Sequence, residues 1–206
     1  LLANKEVALF CSPNEKGGKG QGASAVFVYR VHDKPDGEKL KAFAEIAARF
    51  GYKINLKNEL TIAETMNKTL KDCTGKPEAN MIEMLAIRSM AKAIYTTNNI
   101  GHYGLGFKHY THFTSPIRRY PDMMVHRLLE NKLAVGNRQW ANEKQLEDKC
   151  KHSSEREKLA AEAERASTKY KQVQYLSEKI GQEFEGMISG GTEWGIFVEL
   201  SESHCE

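Results

Sequence analysis

The sequence predicts an α+β protein that is predominantly helical. Three observations lead to this fold class: several segments carry apolar residues at helical spacing, one β-branched and aromatic run stands near the N-terminus, and two β-like runs surround a glycine-rich turn near the C-terminus. Of the 206 residues, 40% are hydrophobic and 28% are charged, which is typical of a folded globular protein.

Composition also narrows the class of protein. No run of about 18 apolar residues is present, so we expect no membrane span. The net charge of +3 is too small to indicate a nucleic-acid partner by itself. The four cysteines are far apart and form no CxxC pair, which favours reduced thiols and a cytoplasmic protein.

The helices follow from apolar periodicity and from residues that begin or end helices. Asp36 is a typical N-cap residue, and Pro121 suits the first turn of a helix. Ser154 and Glu157 have the spacing of a capping box, which predicts that the long charged helix is interrupted near His152 and begins again there. The predicted helices cover residues 1–9, 36–50, 57–70, 78–95, 121–135 and 140–179.

Three segments have the composition of strands. AVFVYRV, residues 25–31, is rich in β-branched and aromatic residues and predicts a short buried strand. Near the C-terminus, residues 183–189 and 194–200 are β-like and flank Gly-Gly-Thr, which predicts a β-hairpin that opens a second small domain.

The stretch HFTSPIRRYPD, residues 112–122, contains most of the candidate functional residues. Pro116 and Pro121 fix two φ angles, so the segment between them is short and stiff. Arg118 and Arg119 lie on it side by side, and in extended backbone neighbouring side chains point in opposite directions. A guanidinium group fits two phosphate oxygens, so we expect one arginine to face a phosphate and the other to pair inside the protein.

Hydroxyl and aromatic side chains flank the two arginines. Thr114 and Ser115 add hydrogen-bond donors, and aromatic rings interleaved with basic residues indicate binding of single-stranded nucleic acid. The rings available for stacking on bases are those of His109, Tyr110, His112, Phe113 and Tyr120. The alternative is a purely structural ion pair, formed by Arg119 or Arg127 with Asp122.

The residues around this stretch resemble a known family. YTTNNIGHYGLGFKHYTHFTSPIRRYPDMMVHRLL, residues 95–129, is similar to the C-terminal part of the catalytic (RNB) domain in the RNase II/RNase R family of exoribonucleases. FVYRVHDKPDGEKL, residues 27–40, and LLAN at the N-terminus match the same family in the same order. GQEFEGMISGGTEWGIFVEL, residues 181–200, resembles the opening strands of the OB-fold RNA-binding module that follows the catalytic domain.

This resemblance implies a domain organisation and an activity. Residues 1–179 are expected to be the C-terminal part of the RNB domain, and residues 180–206 the truncated N-terminal strands of the OB-fold. The implied activity is processive 3′-to-5′ hydrolysis of single-stranded RNA to nucleoside 5′-monophosphates, with Mg²⁺ held by a cluster of aspartates. Single-stranded RNA is the expected partner, and neither DNA nor a membrane is expected.

The resemblance also implies roles for individual residues. Arg118 matches the arginine that stabilises the scissile phosphate in the transition state, and Thr114, Ser115 and Arg119 would shape the same pocket. In the AEAER run, Glu164 is the expected residue directed toward the RNA 3′ end, with Glu162 as the competitor. The expected OB-fold contacts, which stack on bases, are Trp194 and Phe197.

One part of the family pattern is missing. The aspartates of this sequence are scattered and form no acidic run that would hold two cations, so we expect the Mg²⁺ ligands to lie outside this chain. We therefore expect a fragment of a larger exoribonuclease that is inactive alone. The alternative function is a non-catalytic RNA-binding module with a degenerate nuclease domain.

Overall fold

A computed structural model describes residues 1–12, 26–134, 142–203 and 205. It confirms the predicted α+β class with a predominance of helix. The helices are α1 (Leu2–Cys11), α2 (Gly37–Arg49), α3 (Glu59–Cys73), α4 (Ala79–Ser89), α5 (Tyr120–Leu133) and α6 (Glu143–Ser177). The strands are β1 (Tyr29–Val31), β2 (Ile94–Thr96), β3 (Gly186–Thr192) and β4 (Gly195–Leu200). Across the described ranges, no helix is both long enough and apolar enough to cross a bilayer.

The chain forms two compact units that are interleaved in sequence. The first consists of Leu1–Lys34 and Lys92–Glu162, and the second consists of Pro35–Ala91 and Ala163–Glu206. The domain boundary predicted after residue 179 stays a prediction.

In the first unit, β1 and β2 pair antiparallel, with Arg30 opposite Tyr95. This pairing corrects the prediction of a helix over residues 78–95. Helix α4 ends at Ser89, because Met90 adopts an extended ψ of 144° and leads the chain toward β2. The core of this unit comprises Ala8, Cys11, Phe27, Val28, Tyr29, Val31, Tyr95, Met124, Val125, Leu146 and Cys150.

Helix α6 runs without the predicted interruption at His152. Ser154 does not cap a helix: its Oγ donates to the Cys150 carbonyl at 3.0 Å and accepts from the Tyr95 amide at 2.9 Å. The helix begins instead after Asn142, whose Oδ1 accepts from the amide of Lys144 at 2.9 Å. The start predicted at Trp140 lies outside the described residues. The Ser154 hydroxyl, which the sequence predicts to cap a helix, therefore joins α6 to β2.

The second unit contains helices α2 to α4 and the hairpin. As predicted, Asp36 caps α2, since its side chain accepts from the amides of Glu38 and Lys39. The core residues of this unit are Leu40, Phe43, Ala47, Tyr52, Met66, Cys73, Ile82 and Ala86.

The hairpin at 186–200 is confirmed, but its turn is not the predicted Gly-Gly-Thr. Thr192 pairs with Gly195, so the two turn residues are Glu193 and Trp194. A side chain at Gly186 would meet Val198 Cγ1 at 2.6 Å and the Glu199 carbonyl oxygen at 2.9 Å, so close strand approach requires glycine there.

Candidate functional site

Residues 115–119 form a tight turn before α5, which we call the arginine turn. The Ser115 carbonyl accepts from the amides of Arg118 at 3.3 Å and Arg119 at 3.0 Å. Pro121 follows in the first turn of α5 and is buried. The prolines and these hydrogen bonds make the turn stiff, as its sequence predicts.

A buried carboxylate holds the arginine turn to α5. Asp122 is fully buried, and its Oδ2 accepts from the Ser115 amide at 2.7 Å and from Arg119 Nη2 at 2.9 Å. Its position in the first turn of α5 also favours a negative charge. Arg119 therefore has the internal structural role expected for one of the two arginines.

Arg118 has the opposite surroundings. Its side chain is exposed, and its one hydrogen bond within the described residues joins Nη2 to Ser115 Oγ at 3.4 Å. Within those residues, no acidic group lies within 4.0 Å of this guanidinium. The planar guanidinium of Arg118 is thus exposed to solvent on a stiff backbone turn. This arrangement suits the binding of an anion from outside the protein.

The segment that enters the arginine turn is anchored at several points. The Phe113 amide donates to Asn4 Oδ1 at 3.2 Å, and its carbonyl accepts from His126 Nε2 at 2.8 Å. The rings of Phe113 and His126 stack with centroids 4.1 Å apart. Thr111 Oγ1 donates to the Val28 carbonyl at 2.8 Å inside the core. Helices α1 and α5 thus hold Phe113, and the β1 segment holds Thr111.

Tyr110 is a core residue rather than an open surface for bases. It is 5% exposed, and its hydroxyl accepts from Asn4 Nδ2 at 3.1 Å. Its ring packs edge-on against His102 and His112. The protein encloses this ring in the described structure, and the RNA-binding role of Tyr110 stays a prediction.

Sequence reasoning missed a network behind the arginine turn. Arg30 on β1 makes two hydrogen bonds to the Glu157 carboxylate, at 2.6 and 3.0 Å, and its guanidinium lies 4.5 Å from the centroid of the Tyr95 ring. Burial raises the pKa of Tyr95 to about 12, and its hydroxyl bonds His112 Nδ1 at 2.8 Å. The sequence signal for this network is Arg30, the one charged residue in the otherwise apolar and aromatic run of residues 25–31.

The remaining predicted residues have varied settings. Ser115, the first residue of the arginine turn, is half-buried, and Thr114, which precedes it, is exposed. Glu164 is exposed and lines a cavity of about 510 Å³ in the second unit, whereas Glu162, in the first unit, pairs with Lys158 at 3.8 Å. The role predicted for Glu164, with Glu162 as the competitor, stays a prediction.

The two predicted aromatic contacts of the hairpin are both open to solvent. Trp194 is 95% exposed at the turn of the hairpin, and Phe197 is about half exposed. Phe197 lies opposite Gly190 in the hairpin. Since Trp194 lies in the turn rather than in a strand, strand alternation does not relate it to Phe197.

The described part of the chain does not fit a Mg²⁺ centre. It contains no group of three or more His, Cys, Asp or Glu side chains placed to hold one metal ion. The acid nearest the arginine turn, Asp122, is buried and engaged by Arg119 and Ser115. No chemical step is therefore assigned to Mg²⁺ held by these residues.

The fold is a predominantly helical α+β structure with an exposed arginine on a stiff turn, and its sequence identifies the family. Residues 1–134 match the RNB domain, so the chain belongs to the RNB domain family. Within the RNase II/RNase R group, the FTSPIRRYPD form and its spacing indicate the RNase R branch, and relatives with that name confirm it.

Two relatives named RNase R support this placement, and one more distant structure shares the fold alone. Ribonuclease R of Aquifex aeolicus is 43% identical over 182 residues, which cover 87% of this chain and 25% of that protein. A structure of Mycoplasma genitalium RNase R with ribose methylated single-stranded RNA has a TM-score of 0.83 at 30% identity, covering 98% of this chain and 31% of that one. Yeast Ssd1, a pseudonuclease, shares the fold, with a TM-score of 0.57 at 24% identity over 74% of this chain and 18% of that one. The chain thus spans a quarter to a third of the two RNase R relatives.

Proposed function

We propose that this chain supplies the phosphate-binding side of the active site in a processive 3′-to-5′ exoribonuclease that hydrolyses single-stranded RNA to nucleoside 5′-monophosphates. The observation that carries this proposal is the contrast between the two arginines of the turn. Arg119 is bound to buried Asp122, whereas Arg118 is exposed and unpaired with any acid among the described residues.

The proposed role of Arg118 is to stabilise charge that develops on the scissile phosphate. A guanidinium carried on a stiff backbone turn needs less reorganisation when negative charge increases on the phosphate oxygens. Ser115 Oγ lies 3.4 Å from Arg118 Nη2, and the preceding residue, Thr114, has an exposed hydroxyl that could add a further hydrogen bond to a phosphate. Binding, orientation and charge stabilisation are thus the parts of the reaction that we assign to this chain.

Other parts of the proposal concern residues beyond the arginine turn. Glu164 would face the RNA 3′ end, and Trp194 and Phe197 would stack on bases as part of an OB-fold. Mg²⁺ would be held by residues outside this chain. RNA is the proposed partner because structures of Mycoplasma genitalium RNase R hold single-stranded or double-stranded RNA. The four unpaired cysteines favour a reducing compartment, and we propose the cytoplasm.

Binding of single-stranded RNA tests the role of Arg118. We expect Arg118→Ala to weaken binding of a labelled single-stranded RNA by about tenfold, which is the loss of one charge-assisted contact. The slope of log K against log salt should become shallower by about 0.7. Fluorescence anisotropy measures both quantities. Arg49→Ala removes the same charge from an exposed position on α2 and should leave both unchanged. Equal behaviour of the two variants would contradict the proposal.

The purified chain should release no mononucleotides from single-stranded RNA in the presence of Mg²⁺. The reason is that its described residues contain no cluster of metal-binding side chains. Labelled RNA resolved on a denaturing gel measures the release. Steady release that Arg118→Ala abolishes would contradict this prediction. The alternative, a non-catalytic RNA-binding module, is supported if a longer protein that carries this segment binds RNA but also releases nothing.

A further inference from the structure

We propose that His112 contacts the RNA backbone as a neutral hydrogen-bond donor through Nε2–H, and that Tyr95 fixes the proton on that nitrogen. This inference rests on the proposed RNA-binding function of the arginine turn. It gives His112 a role different from base stacking, and it makes Tyr95 a positioning residue.

The direction of the hydrogen bond between Tyr95 and His112 follows from burial. Tyr95 is 4% exposed, and the one hydrogen-bond partner of its hydroxyl in the described structure is His112 Nδ1, at 2.8 Å. If Nδ1 carried the proton, the buried phenol would have no acceptor for its own hydrogen. The phenol therefore donates, Nδ1 accepts, and the proton of a neutral imidazole is on Nε2.

Burial and the neighbouring positive charges keep the His112 ring neutral. Burial, followed by the positive charges of Arg119 and Arg30, lowers the pKa of His112 to about 4. Asp122 acts in the opposite direction, and His102 makes a smaller contribution that lowers the pKa further. The ring is thus a neutral donor throughout the physiological pH range.

The ring orientation is fixed while Nε2 stays available. Tyr95 and Tyr110 pack against His112 in edge-on geometry, with centroids 5.6 and 5.8 Å away. Arg30, bound to Glu157, lies over the Tyr95 ring and holds it in place. In the described structure Nε2 has no protein partner, and it is not among the polar atoms enclosed without one. A fixed N–H that the protein neither pairs nor fully encloses, two residues before Thr114, is suited to a ligand bound at the arginine turn.

Two substitutions separate a donor from a stacking ring. His112→Phe keeps an aromatic face and removes the N–H, whereas His112→Gln places an amide N–H near the position of Nε2 without a ring. We expect His112→Phe to weaken RNA binding by about tenfold and His112→Gln by less than about threefold. The reverse order, equal losses or no loss in either variant would overturn the donor role.

A spectroscopic measurement tests the proton position without RNA. In the unmodified chain, ¹⁵N NMR of the His112 imidazole should show a protonated Nε2 and an unprotonated Nδ1. Tyr95→Phe keeps the ring and removes the hydroxyl, so it should produce a mixture of the two tautomers. A protonated Nδ1 in the unmodified chain, or no change in Tyr95→Phe, would overturn the inference. Loss of RNA affinity in Arg118→Ala but in no His112 variant would leave the proposed function standing and refute this contact.

Discussion

Replacement of Asp122 by alanine is expected to lower the free energy of unfolding of the first unit by about 3–5 kcal/mol, the usual cost of removing one partner of a buried ion pair. Asp122 is fully buried and accepts from both Arg119 and the Ser115 amide. Its removal leaves a guanidinium that is only one-fifth exposed without its counter-charge. The amide that Asp122 holds also loses its acceptor.

Urea unfolding followed by circular dichroism measures this loss. Asp122→Asn keeps an oxygen for the Ser115 amide but removes the charge that Arg119 needs, so its destabilisation should be intermediate. Asp148→Ala, at an exposed position of α6, is the matched control and should change stability by less than about 0.5 kcal/mol. If Asp122→Ala behaves like Asp148→Ala, the arginine turn does not depend on the buried carboxylate.

The elements that could be predicted from the sequence are those with local signals. Asp36 caps α2 through amides two and three residues ahead, and Pro121 lies in the first turn of α5, so each signal and its effect lie within one helical turn. Tyr95 and Ser154 were misassigned for the opposite reason. Their partners are distant in sequence: Tyr95 pairs with Arg30, and Ser154 meets the Tyr95 amide 59 residues away.

In the candidate site, too, local features could be predicted from the sequence and contacts between distant residues could not. The opposite roles of Arg118 and Arg119 agree with the prediction, but they arise in a tight turn and not in the extended backbone that side-chain alternation assumes. Whether a ring faces solvent depends on tertiary packing, so the sequence does not distinguish buried Tyr110 from exposed Tyr120. The ion pair of Glu157 with Arg30 and the contact of Arg30 with the Tyr95 ring join three segments of the chain. No spacing in the sequence predicts these contacts.

Arg118 should matter more for catalysis than for binding. In a longer exoribonuclease that carries this segment, we expect Arg118→Ala to lower kcat by about a hundredfold or more, the effect typical of removing one donor that stabilises transition-state charge. The change in KM should be smaller, because the contact strengthens as charge develops on the phosphate oxygens. Release of mononucleotides from a labelled single-stranded RNA, measured over a range of substrate concentrations, gives both constants.

Two further variants show whether charge or geometry matters at this position. Arg118→Lys keeps the charge but replaces the planar fork by a single ammonium group, so it should recover only part of the lost rate. Arg49→Ala removes an equal charge at an exposed position of α2 and should leave kcat unchanged. A loss in Arg118→Ala that appears only in KM would assign Arg118 to ground-state binding, because an interaction of equal strength in substrate and transition state leaves kcat unaltered. A full loss in Arg118→Lys, with normal RNA affinity, would mean that the fork geometry rather than the charge is what the transition state requires.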